Sequence, residues 1–381
     1  MGHFIDRAFS RTCLIFIGFF ILTACTDNAI IRDQVLTGDS AELMICDKEN
    51  GATITGDPEI LNGQVEARCA IERHTYEVTE GPIPNPKGEA YDYYMSFVEF
   101  DDQGWFWDRR QMQALMRLLD EELEKDREVL MLVFAHGWRH NSTGCNNNVL
   151  CFQRMLERID LTERAREAGA VSGKSKARTV VGVYVGWRGL STFVQPFELL
   201  SFWERKDTAG RVGTGGTTEL LTRLDDFRAL RNPNREPEGT QLLIFGHSFG
   251  AKVIHSAVSH SLIDNALDFG SCGCQVSDHG HIVPVDEDGA GSCEPVDIDR
   301  RRSCRSVEAD ENKGYTVARS FGDLIVLLNP AFEGSLYEPL HQAAINRCYP
   351  KHQRPVMMTI TSDDDWATRY TFPVGRVAGD L

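Results

Sequence analysis

A chain of 381 residues that is 42% hydrophobic and 25% charged carries enough apolar material for one large globular domain, and no internal repeat divides it. Its 56 acidic residues outnumber the 40 basic ones, giving a formal charge of −16. That balance argues against nucleic acid as a partner and against electrostatic attachment to anionic lipid.

At the N-terminus Arg7 and Arg11 precede an apolar run over residues 13–22, followed by small residues that end at Cys25. This is the layout of an export signal, and the run is too short to span a bilayer. Leu22-Thr23-Ala24-Cys25 resembles the lipobox of bacterial lipoproteins. The resemblance implies a signal peptide over residues 1–24 and acylation of Cys25 as the first mature residue, a stable lipid anchor. Thr26, in the place where an aspartate would retain a sorted lipoprotein, implies the outer membrane, facing the periplasm. An ordinary secretory signal is the alternative.

Export makes disulfides the favoured use of the remaining cysteines. Nine lie beyond Cys13 and Cys25, and Cys46 with Cys69 and Cys145 with Cys151 are the plausible local pairs. Nine is odd, so one thiol stays free or pairs outside the chain. A zinc set drawn from Cys272, Cys274, Cys293 and Cys304 with His279 or His281 has spacings that match no familiar zinc site, and no metal is expected.

Residues 25–90 are polar and turn-rich, with Asn50-Gly51 and Gly81-Pro82-Ile83-Pro84, and read as a tether and a small disulfide-tied lead-in. The globular pattern begins at Tyr91, with a strand over 93–100. Met112, Leu115, Met116, Leu119 and Leu123 then recur at spacings of three and four, an amphipathic helix whose stripe is core. A buried strand over 129–135, too apolar to alternate, leads into His136-Gly137-Trp138-Arg139-His140-Asn141. A helix near 149–159 precedes another buried strand, 179–185, which runs into Gly186-Trp187-Arg188-Gly189. Helical patterns over 193–206 and 217–230 follow.

Gln241-Leu242-Leu243-Ile244-Phe245-Gly246-His247-Ser248-Phe249-Gly250 reads as strand, sharp turn and helix start. Ser248 falls on the bend. There a strained backbone would lift its hydroxyl above the sheet, and the flanking glycines remove the β-carbons that would clash as strand and helix close up. The Phe249 N–H lies at the helix N-terminus, where free donors can stabilise an oxyanion. Residues 266–315 form a Cys-, Gly- and acid-rich insertion without periodicity, expected on the surface; Asp286, Glu287 and Asp288 there lack the spacing of a calcium loop. Strand pattern returns at 324–328, before Asn329-Pro330-Ala331, and at 356–361, before Ser362-Asp363-Asp364-Asp365, with a helix near 337–345 between them. Strands alternating with helices imply an α/β protein with a mostly parallel sheet covered on both faces.

The order of strand, His-Gly loop, Gly-x-Ser-x-Gly elbow and late strand ending in an acid resembles the α/β-hydrolase superfamily. His136 to Asn141, Tyr184 to Gly189 and Asn329-Pro330-Ala331-Phe332-Glu333 are further similar to an uncharacterised bacterial branch of lipase-like serine hydrolases. The resemblance runs from about Tyr91 to the C-terminus. It implies Ser248 as nucleophile, Phe249 and Trp138 main-chain N–H groups as oxyanion donors, and Asp365 as the acid, with Asp364 the alternate. No cofactor is implied. The substrate would be an ester or lipid, processed through an acyl-enzyme on Ser248.

One part is missing from the pattern. The family's base is a histidine that follows the acid, and no histidine occurs after His352. Either the chain is a shortened version of a longer hydrolase, ending before the last strand and the histidine, or the base is absent. His140 is the nearest substitute, since its loop is expected over Ser248. The rival expectation is a catalytically inactive hydrolase-fold lipoprotein that serves as a binding or envelope component.

Overall fold

The computed structural model of the chain describes residues 28–37, 42–49, 68–77, 90–122, 127–169, 176–191, 197–268, 274–276, 282–284, 321–345 and 354–362. Eight strands form one sheet: β1 (Cys46–Glu49), β2 (Ile71–Tyr76), β3 (Tyr91–Glu99), β4 (Val129–Ala135), β5 (Thr179–Gly186), β6 (Gln241–His247), β7 (Leu324–Leu328) and β8 (Met357–Ile360). Their spatial order is β1-β2-β3-β5-β4-β6-β7-β8. From β3 to β8 every neighbouring pair is parallel, whereas β2 pairs antiparallel to β3 and carries β1 parallel to itself. The fold class is α/β.

The helices are α1 (Arg109–Arg117), α2 (Asn147–Gly169), α3 (Phe197–Val212), α4 (Thr218–Arg231), α5 (Phe249–Asp268) and α6 (Gly334–Ile345). Strand side chains alternate between two layers, as the period of two requires. Tyr93, Met95 and Phe97 of β3, Leu130 and Leu132 of β4, and Val180 and Tyr184 of β5 face Val149, Phe152 and Leu156 of α2. Val98, Met131, Val133, Val181, Val183, Leu242 and Ile244 point the other way, into a larger core built with α1, α3, α4 and α5. Both faces of β4 and β5 are therefore dry, which explains why those strands read as unbroken apolar runs.

The strand order creates a reversal. From β4 the chain passes through α2 to β5 on one side, and from β6 it passes through α5 to β7 on the other. Right-handed crossovers in opposite directions put α2 and α5 on opposite faces, which leaves a crevice at the carboxyl ends of β4 and β6. The 136–146 loop and the Ser248 turn flank it.

Two expectations change here. The lead-in is not merely a tether: β1 and β2 extend the main sheet, and the stretch 28–37 lies along its edge through a parallel bridge from Gln34 to Cys69. Polar sequence hides this, because edge strands with few apolar residues give no periodic signal. Cys46 and Cys69 are disulfide-bonded, joining β1 to the start of β2. Cys145 and Cys151 are not; both are free and exposed. Cys151 is carried on the first turn of α2, while Cys145 sits in the preceding loop that the Asn141 and Asn146 side chains hold in place.

Smaller differences concern lengths. The helix expected near 149–159 continues to Gly169, and α3 is described from Phe197, the expected start at 193 lying outside the described residues. In the insertion, Cys274–Val276 pairs antiparallel with Ile282–Pro284. The other insertion positions singled out above, and residues 1–24, lie outside the described residues. Among the described residues no helix is long and apolar enough to cross a membrane.

Candidate active site

Ser248 occupies the single residue between β6 and α5, with φ 55°, in the left-handed region that side chains other than glycine seldom adopt. Holding a serine there costs on the order of 1–3 kcal/mol, so the surroundings must enforce it. They do so through the main chain: Ser248 N–H donates to Leu328 O at 2.9 Å, while Ser248 O accepts from Ala251 N at 3.1 Å and from Ala331 N at 3.2 Å. The half-buried turn is thus tied to the end of β7 and the segment after it.

The two elbow glycines are there for contact. A β-carbon on Gly250 would lie 1.9 Å from Ala135 O, and one on Gly246 would lie 2.6 Å from Gly250 O. Neither backbone can yield, since Ala135 belongs to a central strand. On the far side of the crevice a β-carbon on Gly137 would lie 3.0 Å from Ser248 Cβ and 3.5 Å from His247 Nδ1. The His-Gly loop therefore closes directly onto the serine.

That loop is braced from below. His136 is fully buried and stacked between Trp187, 5.4 Å between centroids, and Tyr184, 5.5 Å. Its Nδ1–H donates to Gly137 O at 2.9 Å, and its Nε2 accepts from Trp187 N at 3.3 Å. Burial drives the imidazole down to about 3, so it stays neutral through ordinary pH. Arg139, at φ 69°, donates from its main chain to Gly189 O, and Gly189 N–H donates back to His140 O, each at 3.0 Å. These reciprocal bonds lock the 136–140 and 187–189 turns together.

Trp138 and Phe249 are the two expected oxyanion donors. Phe249 is the first residue of α5 and is fully buried; Trp138 is half-buried, and both rings pack on Phe202, at 5.2 and 4.7 Å between centroids. Among the described residues neither main-chain N–H has a hydrogen-bond acceptor. The Trp138 indole Nε1 is also buried without a partner there.

Comparison with models of known families, with curated proteins and with solved structures finds no match. What the site can do rests on its geometry alone.

The histidines divide by environment. His140 is half-buried, with Asn148 Nδ2 at 3.0 Å from Nδ1 and 2.9 Å from Nε2 and Asn146 Oδ1 at 3.0 Å; burial lowers its proton affinity. Its ring nitrogens thus face Asn146, just before α2, and Asn148, in the first turn of that helix. His255 is buried in the second turn of α5 against Phe332, 4.7 Å between centroids, and its Nε2 has no partner among the described residues. His247 precedes Ser248 and borders Gly137. Asp363, Asp364, Asp365 and His352 lie outside the described residues, as does Cys25. The structure does bring the base of the acid-bearing segment to the serine's edge: Asn329 N–H donates to Ile360 O at 2.8 Å, and Ser362 N–H donates to Asn329 Oδ1 at 2.7 Å.

Sequence reasoning missed the groups that hold this edge together. Glu99, at the end of β3, accepts from Arg32 N at 2.7 Å, Ile31 N at 3.1 Å and Gln111 Nε2 at 3.2 Å. Asp102 pairs with Arg188 and with Arg205, the latter fully buried. Burial pushes the Asp102 carboxyl up, but hydrogen bonds from both guanidinium groups prevail and hold it below its ordinary value. No local pattern marks these residues, since each partner is distant in the chain.

Proposed function

We propose that the protein is a serine hydrolase of carboxylic esters, with the α/β-hydrolase fold and an acyl-enzyme on Ser248. The observation that carries the reading is the left-handed backbone of Ser248 between β6 and α5, at the crevice where the connections reverse direction. A strained serine at such a position presents its hydroxyl to a ligand, and the main-chain N–H groups of Phe249 and Trp138, without an acceptor among the described residues, are suited to a developing oxyanion.

In this reading Ser248 Oγ attacks the ester carbonyl and the tetrahedral oxygen takes up bonds from those two amides. The proton passes to a base, the alcohol leaves, and water releases the acid. Asp365 is the proposed orienting carboxylate. His136 does not act as the base, since its Nδ1–H is spent on Gly137 O and its Nε2 is capped by Trp187 N. A fluorophosphonate probe tests the nucleophile. It should attach one label to the native chain and none to Ser248→Ala; label that persists in the variant would falsify the assignment.

The second reading, a catalytically inactive hydrolase-fold lipoprotein that binds rather than cleaves, is favoured by the engagement of both His136 and both His140 ring nitrogens. A native chain that takes up no probe would decide for it. For either reading we propose a lipid anchor at Cys25, in the outer membrane and facing the periplasm. Incorporation of an alkyne-tagged fatty acid should be lost in Cys25→Ser, and retained incorporation would remove the anchor.

A further inference from the structure

The carboxyl edge of the sheet is also where the N-terminal stretch is fastened. Ile31 and Arg32 are held by Glu99, and Arg32 Nε donates to Ser142 O at 2.9 Å, in the loop that follows β4. The backbone of Glu99 in turn accepts from Trp107 N at 3.0 Å, closing the turn that spans 101–107. Asp102 of that turn reaches Arg188, whose neighbour Gly189 is bonded to Arg139 and His140, and Gly137 of the same loop rests on Ser248.

On this edge two tryptophans stand out in solvent, Trp105 at 69% exposure and Trp107 at 36%. Exposed indoles are costly in water and are at home at a membrane interface, where the ring sits among headgroups and its N–H stays hydrated. The other exposed large apolar side chains among the described residues are Leu336, at 46%, Met358, at 42%, Ile360, at 48%, and Leu230, at 84%, which is near the C-terminus of α4 and so at the opposite end of the sheet.

The lipobox-like Cys25 lies six residues before Ile31. Six residues reach at most about 22 Å when extended. A folded chain of this length is roughly 50 Å across. An acyl anchor at Cys25 therefore holds the fastened edge against the bilayer and keeps the opposite end away.

We infer that the edge bearing Trp105, Trp107 and the Ser248 crevice docks on a lipid surface, so that the esters it takes are membrane-borne rather than dissolved. The substrate class rests on the ester-hydrolase reading above; the docking does not. With a chain of charge −16, the contact is apolar rather than ionic, and it should persist at high salt.

The test uses the mature chain, residues 25–381, with Cys25→Ser, which removes both the apolar signal run and the acyl anchor, and vesicles of zwitterionic phosphatidylcholine in a flotation assay. The protein should float with the vesicles at low and at high salt. Trp105→Ala/Trp107→Ala should bind about tenfold more weakly or worse, Trp105→Phe/Trp107→Phe should retain most of the binding, and Leu230→Ala should change nothing. Thermal melting of each variant checks that it is folded. Failure of the parent chain to float, equal flotation of the folded double-alanine variant, or loss through Leu230→Ala would each overturn the docking surface. Binding is read without any turnover, so loss of fluorophosphonate labelling would remove the esterase and leave the surface standing. Where both hold, the double-alanine variant should lose activity on vesicle-borne ester while keeping it on a short soluble ester; parallel loss on both would sink the membrane-borne substrate.

Discussion

At the scale of single residues, the crevice is set by atoms that are missing as much as by those present. Gly137 has no β-carbon, and the space where one would sit is 3.0 Å from both Ser248 Cβ and His247 O. Adding it in Gly137→Ala forces the loop back by a few tenths of an ångström. Under the proposed chemistry we expect kcat/KM for a soluble ester to fall by about tenfold to a hundredfold, since small displacements of oxyanion donors are costly. Unfolding stability should change by only about 1 kcal/mol. A variant with native kinetics would show that this loop does not touch the reacting carbonyl.

His255 gives a different kind of prediction at the same scale. Burial lowers its imidazole to about 4, whereas in the unfolded chain it titrates near the ordinary value of about 6.5. Between those values the unfolded state binds the extra proton, so stability is full above about pH 6.5 and is lost as pH falls toward 4. His136, lowered to about 3, acts in the same direction, and Asp160, raised by burial to about 6, opposes them between its unfolded value near 4 and 6. Replacing His255 by Phe removes one component and an unpartnered buried Nε2. Its gain over the native chain should grow from pH 7 to pH 5, to about 2 kcal/mol. Urea unfolding at the two pH values measures it, and a gain that does not grow would place His255 in water.

At the scale of elements, the carboxyl edge of the sheet is built by pairs of turns rather than by any one of them. The turn after β4 is bonded to the turn after β5 through Arg139, Gly189 and His140, and the elbow after β6 is bonded to the end of β7 and to Ala331. The helix after the tryptophan turn starts on Asp108, whose side chain accepts from Arg110 N at 2.9 Å and caps α1. The strained φ at Ser248 is thus carried by bonds to the end of β7, to the first turn of α5 and to the segment between β7 and α6.

For the whole molecule, the stretch before β1 is a structural member. Arg32 is fully buried, bonded to Ser142 O, paired with Glu72 at 2.7 Å and stacked 3.6 Å over the Phe97 ring. Burial raises the Glu72 carboxyl, but hydrogen bonding from His74 and the Arg32 charge outweigh it and leave Glu72 below its ordinary value. Arg32→Ala removes the guanidinium from that buried carboxylate and leaves it to His74, and should destabilise the chain by about 3–5 kcal/mol in urea unfolding. A loss under about 1 kcal/mol would mean that residues 28–37 detach freely from the sheet. The same contacts make the anchor short, which is why fold and membrane orientation are coupled in the proposal above.

The buried strands β4, β5 and β7 were legible in the sequence because dry parallel strands need unbroken apolar runs, and α1 because one apolar stripe repeats every three or four residues. The strand-serine-helix turn was legible because its glycines flank the serine in the chain, although only Gly246 is demanded by near neighbours, Gly250 and Ala251, while Gly250 is demanded by Ala135 of β4. Sequence alone thus determined the α/β class and the position of Ser248. Tertiary structure decided that β1 and β2 extend the sheet, that Cys145 and Cys151 stay apart, and that Arg32, Glu99 and Asp102 tie the carboxyl edge together. The reason is physical: a period records which face of an element is dry, but an ion pair between residues 40 or 100 positions apart leaves no trace in either residue's own neighbourhood.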